Sequence, residues 1–235
     1  MRSCLILPDD PLPQAKCLLA CGADALLLDL REAACVGWES APAFLRLART
    51  VEPRPQVYVR LGPLEGGAVD LALTRLRDAP PDGIFLEKAA EAASVQHLGS
   101  KLAVFEAEAG LPDGATRIVA LSAQTPEAVF ALGGYRNCSP RLAALAFETE
   151  PLARALKIEM SDEAPPAPIM LARSLLALAA SAASVLALDL PSRRRLDDAE
   201  LRAQCLEARR NGFSGRGANA PEEIAIIQEA FRTRA

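Results

Sequence analysis

Histidine is almost absent from this sequence, which contains a single one, His97, among 235 residues. A histidine-rich metal site is therefore excluded, and so is a Ser-His-Asp triad unless His97 itself serves in it. His97 lies in the helix-like stretch "SVQHLGSKLAVFEAEAG", where we interpret it as a residue on a helix face.

The sequence also lacks paired cysteines and clustered basic residues. Its six cysteines show no CxxC spacing and are too sparse for a secreted disulfide scaffold, which favours a reduced, cytoplasmic chain. The net charge is −4, and Lys and Arg are spread along the chain, so no patch for a nucleic-acid backbone is indicated.

Targeting and membrane segments are not expected either. The apolar start "MRSCLILPDD" is too short for a signal peptide. Residues 169–190 are long and apolar, but Arg173, the Ala/Ser-rich middle and Asp189 indicate a buried helix running into a buried strand.

Short apolar runs alternate with segments of helical period along the whole chain. The eight candidate strands are residues 3–8, 24–30, 56–61, 83–88, 117–122, 142–147, 184–190 and 213–219. Helical segments between them include "PAFLRLARTV", "DLALTRLRDA", "TPEAVFALGGY" and "LRAQCLEARRNG". This alternation predicts an α/β protein with a single (β/α)₈ TIM barrel over residues 1–235. An open doubly wound sheet is the alternative, weakened by the lack of a glycine-rich nucleotide-binding loop.

Chemistry in such a barrel sits where the strands end. Asp29 and Arg60 each close an apolar strand, which suggests either a structural ion pair or substrate binding. Lys88 suits a Schiff base or a phosphate contact, although a solvated lysine is the simpler interpretation. Glu148 and Glu150, two apart in an extended chain, would point to one side and could share a cation, or be solvated loop acids.

The strand-end segments, taken in order, resemble the blocks of citrate lyase β-subunit-like proteins of the HpcH/HpaI aldolase superfamily. The segments are "SCLILPDD", "GADALLLDLREA", "VYVRLGPL", "GIFLEKAAE", "GLPDGATRIVAL", "SPRLAALAFETEPLARAL", "ARSLLALAASAASVLALDLP" and "EARRNGFSGRGANAPEEIAIIQEAF". The resemblance implies a TIM barrel, usually trimeric or hexameric. Active members use Mg²⁺ to make or break a carbon–carbon bond beside a carboxylate or acyl thioester.

Two positions depart from what this resemblance implies. The family's metal-binding glutamate after the fifth strand corresponds to Ala123, and the aspartate that supplies its second ligand corresponds to Pro151. Neither residue has a side-chain oxygen, so no metal is expected at the family's site. The family's acidic pair after the second strand becomes Arg31 and Glu32.

Other positions are retained. The resemblance ties Arg60 to the substrate carboxylate, and the family's residues at Asp29, Lys88, Arg173 and Asp189 are also kept. The predicted substrate-binding residues are Arg60, Asp29, Glu32 and Lys88. The chain also ends where longer members continue into a segment that covers a neighbouring subunit's site, so that lid is expected to be missing.

Three functions follow as alternatives. The first is a degenerate, non-catalytic paralogue that keeps the barrel and a homo-oligomer. The second is an active carbon–carbon lyase with a displaced metal site built from Glu32, Glu148 and Glu150. The third is a protein that binds a small carboxylate or acyl-CoA through Arg60. No cofactor is expected, and no nucleic acid or membrane partner.

Overall fold

The structure is a computed structural model that describes residues 1–31, 37–160, 165–191 and 196–232. Eight parallel strands form a closed barrel in sequence order, with β8 pairing β1. The strands are β1 (Ser3–Ile6), β2 (Ala25–Asp29), β3 (Gln56–Leu61), β4 (Gly83–Leu86), β5 (Arg117–Leu121), β6 (Leu142–Phe147), β7 (Leu186–Asp189) and β8 (Gly215–Ala218). Each lies inside one of the predicted segments, so the predicted TIM barrel is confirmed.

Helices follow the strands and surround the barrel in the described part of the chain. They are α1 (Ala15–Leu19), α2 (Gly37–Ala48), α3 (Ala68–Leu76), α4 (Ala92–Ala109), α5 (Pro126–Ala131), α6 (Thr149–Ala155), α7 (Ala167–Ala182), α8 (Asp198–Arg210) and α9 (Glu223–Ala230). His97 is an exposed residue of α4, as expected. The apolar stretch 169–190 is α7 followed by β7, and no helix among the described residues is long and apolar enough to cross a membrane.

Local sequence explains where several helices begin and end. At α8 the Asp197 carboxylate accepts from the Ala199 and Glu200 amides, and the Glu200 side chain accepts from the Asp197 amide, which completes a capping box. Helix α4 ends at Gly110, whose φ of +68° is the left-handed conformation that glycine adopts most easily.

Strand side chains alternate between two separate apolar layers. One layer packs between the strands and the helices. The other fills the barrel interior and consists of Cys4, Ala25, Leu27, Tyr58, Phe85, Val119, Leu121, Ala144, Ala146, Leu188 and Leu190. Tyr58 and Phe85 meet there edge to face, with ring centroids 5.5 Å apart. This alternation fixes which side chains face the mouth of the barrel.

Candidate functional site

Four charged residues continue the inward-facing rows at the carboxyl end of the barrel. Each comes two residues after an inward-facing apolar residue and so points to the same side of the sheet. They are Asp29 on β2, Arg60 on β3, Glu87 just after β4 and Glu148 just after β6. Asp29 and Arg60 are partners in the sheet register. Asp29, Arg60 and Lys88 therefore lie at the same end of the barrel, as the strand order predicts.

Arg60 is the centre of these contacts. Its side chain is 4% exposed, and its Nη1 and Nη2 donate to Oε1 and Oε2 of Glu148 at 3.0 and 2.7 Å. On its other edge, Nε donates to Glu87 Oε1 at 2.6 Å, and Nη2 donates to the same oxygen. Burial alone would lower the pKa of Arg60, but the hydrogen bond and charge of Glu148, with the charge of Glu87, raise it instead.

Arg31 connects Asp29 to this pair. Its Nη2 donates to Asp29 Oδ2 at 2.6 Å, its Nε donates to Oδ1 at 2.8 Å, and its Nη1 donates to Glu87 Oε1 at 3.0 Å. Burial tends to raise the pKa of Asp29, but hydrogen bonding from Arg31 and the positive charges of Arg31 and Arg60 outweigh it and lower the pKa. Arg31, Arg60, Asp29, Glu87 and Glu148, which we call the mouth cluster, thus share one set of charge-assisted hydrogen bonds.

Gln124 joins two acids of the mouth cluster after β5. Its Nε2 donates to Glu87 Oε2 at 3.0 Å and to Glu148 Oε2 at 3.2 Å. Its Oε1 accepts the backbone N–H of Lys88 at 2.8 Å, while the Lys88 side chain is exposed. Ala123, where the resemblance implies a metal-binding glutamate, is fully buried beside it with a φ of +60°.

The prediction for Glu148 and Glu150 needs correction. It assumed an extended chain, but the chain enters helix α6 at Thr149, so Glu148 is the N-cap and Glu150 lies in the first turn. Glu148 reaches the barrel interior directly from the end of β6, whereas Glu150 belongs to the helix. Pro151 is also helical, since the first turn of a helix tolerates a proline that cannot donate a backbone hydrogen bond.

Leu190 and Pro191 bring apolar surface to the β7–β8 side of the mouth among the described residues. Leu190 belongs to the interior layer and is 5% exposed. A Cβ at Gly217 would come within 2.6 Å of Pro191 Cδ and 3.2 Å of Leu190 Cδ2, so glycine is needed for β8 to pass under them. The hydrogen-bonded polar side chains described above therefore lie on the β2–β6 side of the mouth.

Arg173 and Asp189, two of the family residues that this sequence keeps, do not belong to the mouth cluster. Asp189 alternates with the inward-facing Leu188 and Leu190, and so faces the helices. Its Oδ2 accepts from Arg173 of α7 at 3.1 Å and from Arg216 of β8 at 2.8 Å. Arg216 also donates to Gln204 of α8. This buried group ties β7 and β8 to the helices.

Glu32, predicted to bind substrate, lies outside the described residues. The sequence analysis assigned no role to Glu87 or Gln124. A period-two count from the buried Phe85 points Glu87 into the barrel, and that signal could have identified it.

The mouth cluster has two guanidinium groups and three carboxylates, for a formal charge of −1. Both cations are already bound to acids, and each of the three acids accepts hydrogen bonds from an arginine. Among the described residues, no group of three His, Cys, Asp or Glu side chains is arranged to hold a metal ion. The arrangement is a filled ion-pair network.

Comparison with known proteins identifies related sequences and structures. The HpcH/HpaI aldolase/citrate lyase family model matches residues 2–221. RipC from Yersinia pestis has a similar structure, with a TM-score of 0.76 and 22% identity over 100% of this chain and 96% of that one. The citrate lyase β subunit from Mycobacterium tuberculosis gives 0.75 and 23% identity, over 99% and 97% of the two chains.

A further M. tuberculosis structure, of the protein CitE, is described as a complex with magnesium, acetoacetate and coenzyme A. It gives a TM-score of 0.75 and 22% identity, over 99% of this chain and 81% of that one. At these identities the structural likeness establishes the fold only. A search of curated protein sequences found no match.

Proposed function

The chain belongs to the HpcH/HpaI aldolase/citrate lyase family, and from that premise we propose that it is a citrate lyase β-like paralogue that has lost the family's Mg²⁺-dependent lyase site. The observation that carries the proposal is the mouth cluster, in which Arg60 is bound on both edges by acids of the same chain. The barrel is kept, while its mouth is filled by internal ion pairs.

The donor chemistry does not fit Mg²⁺ at the positions that the resemblance implies. Mg²⁺ is bound through oxygen ligands, usually one or two carboxylates, and the side chains of Ala123 and Pro151 offer no oxygen. The nearby carboxylates of Glu87 and Glu148 accept hydrogen bonds from Arg60, whose positive charge also opposes a second cation. No catalytic step through a metal is therefore assigned.

A displaced metal site is the lyase alternative. It would have to take Glu148 away from Arg60, which would leave a guanidinium that is 4% exposed without one of its two acids. A hydrogen bond to a charged group contributes roughly 1.5–3 kcal/mol, and metal binding would have to supply the loss of those between Arg60 and Glu148. Glu150 lies in the first turn of α6 and not in the extended chain with Glu148 that this alternative assumed, which further disfavours it.

A carboxylate-binding protein is the remaining alternative. Structures of relatives are described with acetoacetate, oxaloacetate and pyruvate, which makes a small carboxylate the most reasonable ligand class. In this chain, however, the fork of Arg60 that would bind such a ligand is occupied by Glu148.

Calorimetric titration of the purified protein with Mg²⁺, together with a lyase assay on citryl- and malyl-CoA thioesters, tests the proposal. We expect no heat of binding and no chelator-sensitive cleavage. Micromolar Mg²⁺ binding, or cleavage abolished by a chelator, would establish the displaced-site lyase instead.

A further inference from the structure

We propose that Glu148 is an internal carboxylate ligand: it occupies a carboxylate-binding site formed by Arg60 and Gln124 and closes that site to small carboxylates from solution. This deepens the proposed function and rests on it, because it explains what fills a mouth that no longer serves a metal-dependent reaction.

The contacts of Glu148 have the geometry of a bound ligand carboxylate. Its two oxygens accept from Nη1 and Nη2 of Arg60, one oxygen for each nitrogen, at 3.0 and 2.7 Å. Oε2 also accepts from Gln124 Nε2 at 3.2 Å. This two-pronged pairing is one by which the arginine fork binds free carboxylates.

Glu148 is not required to neutralise Arg60. Glu87 already binds the other edge of the guanidinium through Nε and Nη2. Without Glu148, the mouth cluster would have two guanidinium groups and two carboxylates, a balanced set. Glu148 is thus the surplus acid of the cluster, and its removal should leave Arg60 charged, paired and folded in place.

The position of Glu148 in the fold shows that its side chain is committed to the mouth. It is the N-cap of α6, where a short polar side chain usually accepts from the first-turn amides, but its side chain makes no capping hydrogen bond. The side chain of Glu148 is 15% exposed, whereas that of Arg60 is 4% exposed. The Glu148 carboxylate therefore lies at the outer edge of the mouth cluster, where a solute could replace it.

The space that opens when the Glu148 side chain is shortened determines which small carboxylate should bind there. Replacing Glu148 with alanine removes a CH₂–COO⁻ group, which has the same heavy atoms as acetate. Acetate should therefore fill the space and restore both hydrogen bonds to Arg60, and other small carboxylates such as 2-oxo acids should compete with it.

The experiment compares the unmodified protein with Glu148→Ala in buffer containing a chelator. Titration with sodium acetate, against sodium chloride at equal ionic strength, should show binding to Glu148→Ala at least about ten-fold tighter than to the unmodified protein, with a rise in melting temperature specific to acetate. Equal acetate affinity in the two proteins, or no acetate response in Glu148→Ala, would overturn the proposal.

Two control variants separate occupancy from charge. Glu150→Ala removes the same charge two residues away, on α6, and should leave acetate binding at the level of the unmodified protein. Glu148→Gln removes the charge but keeps the space filled, and should also remain closed. Acetate binding by either control as tight as by Glu148→Ala would contradict the proposal.

Refolding provides the same test if Glu148→Ala does not purify as a folded protein. Acetate should then increase its recovery from denaturant, whereas chloride should not, and equal recovery would contradict the proposal. Because all measurements are made with a chelator, failure here is distinct from failure of the proposed function, which is judged by metal binding to the unmodified protein.

Discussion

Ala123 and Pro151 are the two positions at which the resemblance implies the family's metal ligands. Ala123 is fully buried with a left-handed φ of +60°, a conformation that an unbranched side chain tolerates better than a β-branched one. Pro151 lies in the first turn of α6, where an aspartate is favoured by the exposed amides and the helix dipole. Pro151 can therefore accept an aspartate, whereas a glutamate at the fully buried Ala123 needs a bound cation to compensate for the burial of its charge.

We expect the double variant Ala123→Glu and Pro151→Asp to bind Mn²⁺ measurably, because it restores two oxygen donors at the carboxyl end of the barrel. Either single variant should bind at least roughly ten-fold more weakly, since one carboxylate does not make a site. Calorimetric titration of the three variants measures this. Equal binding by a single and the double variant would mean that the ligands lie elsewhere.

At the scale of elements, α4 is joined to the strands on which the mouth is built. Glu106 of α4 is 1% exposed and accepts from Arg141 Nη1 at 2.6 Å and from the amides of Thr116 and Gly114 at 2.6 and 2.9 Å. Burial tends to raise the pKa of Glu106, but these hydrogen bonds outweigh it and lower the pKa below the usual 4.5. The helix is thereby tied to the starts of β5 and β6.

Replacing Glu106 with glutamine should lower the free energy of unfolding at neutral pH by about 3 kcal/mol, because Arg141 loses its buried acid. A depressed folded-state pKa stabilises the protein above the unfolded-state value, and this stabilisation is lost as pH falls through the folded-state pKa. The deficit of the variant should therefore shrink as pH falls below about 4.5. Urea unfolding at several pH values measures it.

Glu108→Gln is the matched control, since Glu108 lies on the same helix and its side chain is 55% exposed. It should change the free energy of unfolding by less than about 0.5 kcal/mol. A deficit in Glu106→Gln that is constant down to acidic pH would show that the carboxylate charge has no part in the effect.

The elements were easier to predict than the contacts between them. The strands could be read because a parallel barrel buries both faces of each strand, which leaves continuous apolar runs such as "LAALAF". The start of α6 was missed because Glu148 and Glu150 were predicted to lie in an extended chain, although the following proline is tolerated in a first helical turn. That single error moved Glu150 into the predicted cation site.

The pairing of Arg60 could not be predicted in the same way. Alternation shows that Glu87 and Glu148 face inward, but their distance from Arg60 depends on how β3, β4 and β6 approach one another across the closed barrel. Glu148 lies 88 residues from Arg60 in sequence, and no local pattern records a contact of that separation. The sequence therefore predicts that these residues face the barrel interior, but only the folded structure shows which of them form ion pairs.

At the scale of the whole molecule, self-association remains a prediction from the resemblance. Helices α5 and α7 pack together and carry apolar side chains in solvent, including Phe130 at 88%, Leu171 at 61% and Leu178 at 67% exposure. Leu171 and Leu178 lie about two turns apart on α7, and contiguous apolar patches are uncommon on a monomer. A covered face in an oligomer would account for it.

Light scattering at micromolar concentration should therefore give a mass above the 24.9 kDa of one chain. Leu178→Glu should lower that mass, because it places a charge on the face that the oligomer would bury. Val104→Glu, which changes an apolar side chain of α4 that is 60% exposed, should leave it unchanged. A monomeric unmodified protein would count against the prediction.

The central claim is that the mouth of this barrel is filled by its own ion pairs and does not take the family's metal. Crystals soaked in MnCl₂ and measured at the manganese absorption edge test it directly. We predict no anomalous peak within the mouth cluster and an intact pairing of Arg60 with Glu148. A manganese peak coordinated by Glu87 or Glu148, with Arg60 displaced, would contradict the account.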